Sequence, residues 1–197
     1  MPRAEGPNER DDDASMDEAA LIQAARRDPA AFGPLYARYV DRVYSYLRLR
    51  LGVAGADDAG DLTQQVFAQA LNAMPRFEPH AGVSIGAWLL RIARNAATDW
   101  QRRQRPTIPW EAVHEEQHPT EADTAESAAL RDDERAHVQR MLVTLDDQTR
   151  EAILLRFTAD LTLAEIGALQ GCSEEATRKR ITRALHALKE RFHDDTP

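Results

Sequence analysis

The sequence predicts an all-α fold of two small helical domains joined by an acidic flexible linker. Three observations carry this. Apolar residues recur at three- and four-residue steps through most of 17–105 and 131–193, which is the period of a helix with one buried face. Aromatic residues make up only 6% and the 197 residues include just 9 Gly, which does not suit the aromatic-rich strands and frequent turns of an all-β chain. Between 106 and 130 the periodicity stops at Pro106, Pro109 and Pro119 and gives way to acidic and small residues, the composition of a linker with nascent helix at its end. With 43% hydrophobic and 29% charged residues, the bulk composition is globular.

Residues 1–16 are polar and charged without apolar period and read as a disordered acidic tail. The periodic sequence begins just after Met16, a second candidate start. Phe32, Leu35, Tyr36, Tyr39, Val40, Val43, Tyr44, Leu47 and Leu51 then form one stripe of a long helix, broken by the stretch Gly52–Gly60. Asp61 is placed to cap the next helix, with Leu62, Val66, Ala70, Leu71 and Met74 inward. Pro75, Pro79, Gly82 and Gly86 mark a loop, after which a helix runs from about Ser84 to Gln104 and stops before Pro106. In the second domain Asp146 is a cap candidate ahead of Ala152, Ile153, Leu154, Leu155 and Phe157. Thr162 with Glu165 reads as a capping box, and Leu161 with Ile166 as its hydrophobic staple. Gly171 ends that short helix and Ser173 caps the next, with Glu174 and Glu175 favourably placed in its first turn.

The net charge is -8, but it is segregated. Residues 1–20 carry -5 and residues 111–135 carry -7, whereas 88–110 carry +4 and 173–191 carry +3. Two basic islands are thus separated by an acidic connector, and placement says more about partners than the sum does. The acidic segments are able to cover the basic islands, so the free chain is expected to bind duplex DNA poorly.

Several classes are excluded. The single cysteine, Cys172, rules out an internal disulfide framework and a Cys-rich zinc site. His80, His114, His118, His137, His186 and His193 show no metal-ligand spacing. There is no Gly-rich phosphate loop and no nucleophile elbow, so neither an enzyme nor a bound cofactor is expected. No apolar run approaches the roughly 18 residues of a membrane helix, and the acidic N-terminus is not a signal peptide. A cytoplasmic chain is expected.

The basic islands lie on helices. Over 85–105, Ile85, Leu89, Ile92, Ala93, Ala96 and Trp100 fall on one side, with Asp99 nearer to them. Arg91, Arg94, Asn95, Thr98, Arg102 and Arg105 fall on the other, where guanidinium and amide groups suit phosphates and base edges. A plain solvated face is the alternative, though such faces usually mix signs. The second island is a helix-turn-helix: a capped helix over 163–170, a turn at Gly171 and Cys172, and a capped helix over 173–191. On it Thr177, Ile181, Ala184, Leu185 and Leu188 form the apolar side, while Glu175, Ala176, Lys179, Arg180 and Arg183 project away. Recognition helices read bases with their N-terminal half while surrounding Arg and Lys hold phosphates.

Four stretches, Phe32–Tyr46 (FGPLYARYVDRVYSY), Asp57–Leu71 (DDAGDLTQQVFAQAL), Trp88–Arg103 (WLLRIARNAATDWQRR) and Leu145–Leu188, together covering most of 20–190, resemble a bacterial sigma factor of the extracytoplasmic-function group. The resemblance implies a sigma region 2 domain over 17–105, a linker over 106–130 and a region 4 helix-turn-helix domain over 131–193, with no third domain. It implies a non-enzymatic alternative sigma factor that binds core RNA polymerase through its β′ clamp and β flap, recognises promoter DNA, and is controlled by an anti-sigma factor without direct membrane insertion. Asp61, Gln64, Gln65 and Phe67 match the part that docks on the clamp. Arg91, Arg94, Asn95, Thr98, Arg102 and Arg103 match the helix that reads and opens the -10 element. The loop Arg76–Gly86 matches one that captures a flipped base. Ser173, Glu175, Ala176, Arg178, Lys179, Arg180 and Arg183 match the helix that enters the major groove at the -35 element. The linker is implied to thread the polymerase cleft, where its acidity mimics RNA. Glu175 stands where the family often has a small residue or Gly, and Thr177-Arg178-Lys179 replaces a β-branched residue followed by Lys-Ser, so the -35 sequence does not transfer. Two rival functions fit less of the chain. A free-standing operator binder accounts for 145–191 but leaves 57–105 idle. A scaffold for acidic proteins would show no steep salt dependence on DNA.

Overall fold

The computed structural model describes residues 9–78, 84–104 and 137–194. Its helices are α1 (Glu9–Arg27), α2 (Gly33–Leu51), α3 (Asp58–Ala73), α4 (Ile85–Gln104), α5 (helical over 137–143), α6 (Asp147–Phe157), α7 (Leu163–Gln170) and α8 (Glu174–Asp194). No strand occurs among the described residues.

In the first domain α2, α3 and α4 pack on one another, and α1 closes over the 3₁₀ turns Pro29–Phe32 and Met74–Arg76. The apolar stripe of α2 goes inward as its period requires: Leu35, Val43 and Leu47 are fully buried against Val66 of α3 and Leu89 and Ala93 of α4. A fully buried aliphatic side chain contributes roughly 1.5–3 kcal/mol, so such a set fixes the three-helix packing. Trp100 ties the end of α4 to the start of α3 by donating its indole N–H to Asp58 at 3.0 Å. In the second domain α6, α7 and α8 enclose Leu154, Leu155, Ile166 and Ile181. Arg150 staples α5 to α6, donating to the carbonyls of Leu142 and Leu145 at 2.9 Å each.

The local signals of the second domain hold. Asp146 accepts from the Thr149 amide at 3.0 Å and caps α6. Both halves of the Thr162–Glu165 capping box are present, and Leu161 and Ile166 are buried beside it. Gly171 ends α7 with φ +69°, the left-handed region that favours glycine. Ser173 caps α8 by accepting from the Ala176 amide at 3.2 Å.

Elsewhere the structure departs from the sequence expectation. Helix α1 already begins at Glu9, inside the stretch read as a disordered tail, because a nucleated helix gains a backbone bond for each residue added at no new nucleation cost. Residues 1–8 lie outside the described residues. Helix α3 starts three residues before Asp61, with Asp57 at the cap position and no side-chain cap bond, so Asp61 is an exposed first-turn acid rather than a cap. Gly86 belongs to α4, where it passes close to the Tyr39 ring, rather than to the expected loop, of which Pro79 and Gly82 lie outside the described residues. Asp99 is exposed and pairs with Arg102 rather than lying toward the core. Leu185 and Phe157 are exposed, because the apolar sides of α8 and α6 are wider than the surface that covers them. The linker expectation over 106–130 falls outside the described residues, as does the start of the second domain over 131–136.

The two domains touch. The C-terminal half of α2 lies on α6, and α4 lies on α7.

Candidate nucleic-acid and polymerase interfaces

The helix-turn-helix is held by its turn. An added Cβ at Gly167 would stand 2.7 Å from the Cys172 carbonyl oxygen, so only glycine lets the chain return that close to α7. Cys172 is half-buried with its sulfur 3.4 Å from the Thr177 hydroxyl, in the role of a small turn residue. Thr177, Ile181 and Ala184 bury against α6 and α7, which turns the opposite side of α8 to solvent. Ser173, Glu175, Ala176, Arg178, Lys179 and Arg183 are all exposed there. Two of these cations are lightly held: Arg178 pairs with Glu174 at 2.5 Å and Lys179 with Glu175 at 2.7 Å, one helical turn apart. Exposed pairs of this kind are worth about 0.3–0.5 kcal/mol and yield easily to a phosphate. Among the described residues Arg183 makes a long bond, 3.3 Å, to the Lys179 carbonyl.

Arg180 differs from the other -35 candidates. It is half-buried and donates to Gln170 Oε1 at 2.6 Å and to Gln148 Oε1 at 3.3 Å, bracing α8 against α7 and the start of α6. It is a framework residue at the edge of the exposed side of α8. Period alone cannot separate it from Arg183, because its partners lie on other helices.

On α4, Arg91, Asn95, Thr98 and Arg102 are exposed on one side, as the period predicts, and Arg103 is exposed roughly 100° round the helix from Arg102. Arg102 and Asp99 pair, and Thr98 donates to the Arg94 carbonyl at 2.8 Å. Arg94 is set apart: it turns away to the second domain, donating to the Leu169 carbonyl at 3.2 Å and lying 3.7 Å from the Glu151 carboxylate.

On α3, Asp61, Gln64 and Gln65 are exposed. Phe67 is not. It is buried edge-on to Tyr36, with centroids 4.7 Å apart, and to Phe32 at 6.4 Å. Phe67, the fourth residue expected to dock, is therefore packed against Phe32 and Tyr36 beside Val66 and Ala70 of α3 instead of presenting itself.

A cluster between the domains escaped the sequence reading altogether. Glu151 of α6 accepts from the Tyr46 hydroxyl at 2.5 Å and pairs with Arg50 at 2.7 Å, both on α2. Burial pushes the Tyr46 phenol well above its usual value, and the Glu151 charge adds to this, so Tyr46 stays a donor. Ser84, at the start of α4, hydrogen-bonds Glu165 of α7. Burial raises the Glu165 carboxyl, but hydrogen bonds from Ser84 and Thr162 outweigh this and its pKa is lowered. Gln139 donates to the Arg48 carbonyl at 3.5 Å across the same boundary. Among the described residues no group of His, Cys, Asp and Glu could hold a metal ion, and no helix is long and apolar enough to cross a membrane.

Comparison with known proteins agrees with this layout. The family description "Sigma-70 region 2" matches residues 35–107 and "Sigma-70, region 4" matches residues 141–190, one on each domain. The ECF RNA polymerase sigma factor BldN of Streptomyces coelicolor is 32% identical over 92% of this chain and 69% of its own. The RNA polymerase sigma factor CarQ of Myxococcus xanthus is 35% identical over 81% of this chain and 88% of its own. Among solved structures, CnrH in complex with the cytosolic domain of CnrY superposes with a TM-score of 0.66 at 28% identity, over 91% of this chain and 99% of that one. Both regions in order, with such relatives along nearly the whole length, mean that this chain belongs to the extracytoplasmic-function group of RNA polymerase sigma factors, the initiation factors that direct core polymerase to promoters.

Proposed function

We propose that the exposed residues divide the work of promoter recognition between the two domains, 17–105 and 131–193. Asp61, Gln64 and Gln65 dock on the β′ clamp, and the second domain meets the β flap. The α4 face, Arg91, Asn95, Thr98, Arg102 and Arg103 with Arg94 when freed, reads and opens the -10 element. The face of α8, Ser173, Glu175, Ala176, Arg178, Lys179 and Arg183, enters the major groove at the -35 element with Arg180 bracing it. Glu175 can accept from a cytosine N4 amino group and so specify rather than repel. Opening needs no ATP if a flipped base regains in contacts and stacking the few kcal/mol lost on extrusion. The chain is a non-catalytic subunit without cofactor, acts in the bacterial cytoplasm, and is held by an anti-sigma factor; the likeness to CnrH, solved with the cytosolic domain of CnrY, supports the last point. The acidic residues of 106–130 thread the polymerase cleft as an RNA mimic.

The observation that carries this reading is the capped α7–turn–α8 unit with Arg178, Lys179 and Arg183 turned outward on the first half of α8. The test measures promoter affinity of the chain alone and with core polymerase, on closed and on pre-melted duplex. Core is expected to confer specific binding, and pre-melting to rescue Asn95→Ala but not Arg183→Ala. Tight sequence-specific binding by the free chain would favour an operator-binding regulator instead.

A further inference from the structure

Gly86 stands in the first turn of α4, where glycine is less favourable than alanine. Its backbone is ordinary helix, so no left-handed turn calls for it. What calls for it is space. An added Cβ would stand 3.1 Å from Cε1 of Tyr39 and 3.8 Å from its Cζ. Tyr39 comes from α2, is 5% exposed, and has little room to yield. Its hydroxyl donates to Glu18 Oε2 of α1 at 2.6 Å, and the Arg42 guanidinium lies over its ring, 5.7 Å from the centroid. Arg38 stands 3.5 Å from the same Glu18 oxygen. Burial, and next the bond to Glu18, push the Tyr39 phenol above its usual value, so it keeps its proton and donates.

The turn that rests on this ring begins the helix that carries the -10 candidates. Ser84 caps it, its hydroxyl accepting from the Ala87 amide at 3.1 Å and its carbonyl from the Trp88 amide at 3.0 Å. Arg91 and Asn95 follow Gly86 on the same helix, about 7.5 and 13.5 Å further along its axis. A displacement of the first turn is therefore carried to the groups that would meet bases. Hydrogen bonds to base edges hold over only about 2.7–3.2 Å, so a displacement of about half an ångström is felt. Both Glu18 and the Tyr39 hydroxyl are engaged with each other inside the domain and offer nothing to a base themselves.

Resting on the sigma-factor reading above, we infer that Tyr39 is a positioning residue for -10 recognition: held by Glu18, its ring seats the first turn of α4 through Gly86 and so fixes where Arg91 and Asn95 meet the promoter. Helix α1 thereby takes part in promoter reading through one carboxylate that never touches DNA. Removing the hydroxyl frees the ring, and a methyl added at Gly86 presses on it. The two changes are coupled, because a freed ring gives way to the methyl where a held ring does not.

The test uses the full chain as parent, Tyr39→Phe, Glu18→Ala, Glu18→Gln, Gly86→Ala, and Gly86→Ala combined with Tyr39→Phe. Amide exchange at Ala87 and Trp88 is read in the free chain. With core polymerase, the preference for a promoter is measured over copies with one base pair changed in the -10 or in the -35 element. Tyr39→Phe and Glu18→Ala should speed exchange at both amides by about threefold or more and lower the -10 preference by about fivefold, with the -35 preference kept. Glu18→Gln, whose amide oxygen still accepts from the hydroxyl, should keep the parent values. Gly86→Ala should lower the -10 preference in the parent and do so less in the Tyr39→Phe background. A -10 preference unchanged in both Tyr39→Phe and Glu18→Ala, whatever their thermal stability, would overturn the inference. So would an equal loss at -10 and -35, which marks general loosening, or a lost -10 preference with exchange unmoved. An undiminished Gly86→Ala penalty in the Tyr39→Phe background would also overturn it. A parent with neither preference would overturn the promoter reading itself and this role with it, whereas a parent and variants that all keep both would overturn this role alone.

Discussion

Arg183 and Arg180 lie three residues apart on α8, yet their truncations should separate cleanly. Arg183 is exposed and makes a long bond, 3.3 Å, to a carbonyl of its own helix, so Arg183→Ala should leave thermal stability within about 0.5 kcal/mol of the parent. A lost bidentate base contact costs about 1–3 kcal/mol, or roughly 5- to 150-fold in promoter affinity. Arg180 donates to Gln170 at 2.6 Å and Gln148 at 3.3 Å and is half-buried, so Arg180→Ala should destabilise the second domain by about 1–2 kcal/mol and lower its Tm by several degrees. The assay pairs thermal unfolding with holoenzyme titrations at fixed salt on a promoter and on the same promoter with its -35 element scrambled. The Arg183→Ala penalty should vanish on the scrambled promoter. An equal penalty on both would make Arg183 a phosphate contact, with the salt slope reduced by about 1. Full affinity of Arg183→Ala on the intact promoter, or an unchanged Tm for Arg180→Ala, would refute the division of roles.

Other substitutions probe the remaining assignments. Phe67→Ala should destabilise the first domain by about 3–5 kcal/mol in chemical denaturation, whereas Gln64→Ala and Gln65→Ala should leave stability alone and weaken core binding. Gly167→Ala should cost about 1–3 kcal/mol and loosen the turn, read by amide exchange in α7 and α8, because its Cβ would meet the Cys172 carbonyl. Asp146 is capped to Thr149, whose hydrogen bonds lower its carboxyl below the ordinary 3.8. Its stabilisation is therefore full above that value and is lost as pH falls through the lower folded one. Asp146→Ala should cost about 1 kcal/mol at neutral pH, with the gap to the parent closing on acidification.

What the sequence makes legible here is what local chemistry decides. The capping box at Thr162, the left-handed Gly171 and the Ser173 cap each involve residues within a few positions of one another, and all three are where they were expected. The α4 period places Arg91, Asn95 and Thr98 outward for the same reason. Periodicity reports that a side chain faces something, but not what. Phe67 and Gln64 lie three residues apart on α3, and only the position of Phe32 and Tyr36 decides that one is packed and the other free. Arg94 reads as one more cation of a basic face until α6 brings a carboxylate to it. Tyr46 and Glu151 are 105 residues apart, and neither carries a local signal of the other. The parts of the site that remained hidden are those made by contact between domains.

The central claim is that this chain gives core polymerase its choice of start site. The most direct measurement incubates core RNA polymerase with and without the chain on fragmented genomic DNA and maps the 5′ ends of the transcripts. The account predicts a small set of sharp starts that appear only with the chain and share two sequence elements about 25 base pairs apart. Arg183→Ala should weaken those starts and Asn95→Ala should restrict them to pre-melted templates. A folded chain that adds no sharp start to core polymerase on any fragment would contradict the claim.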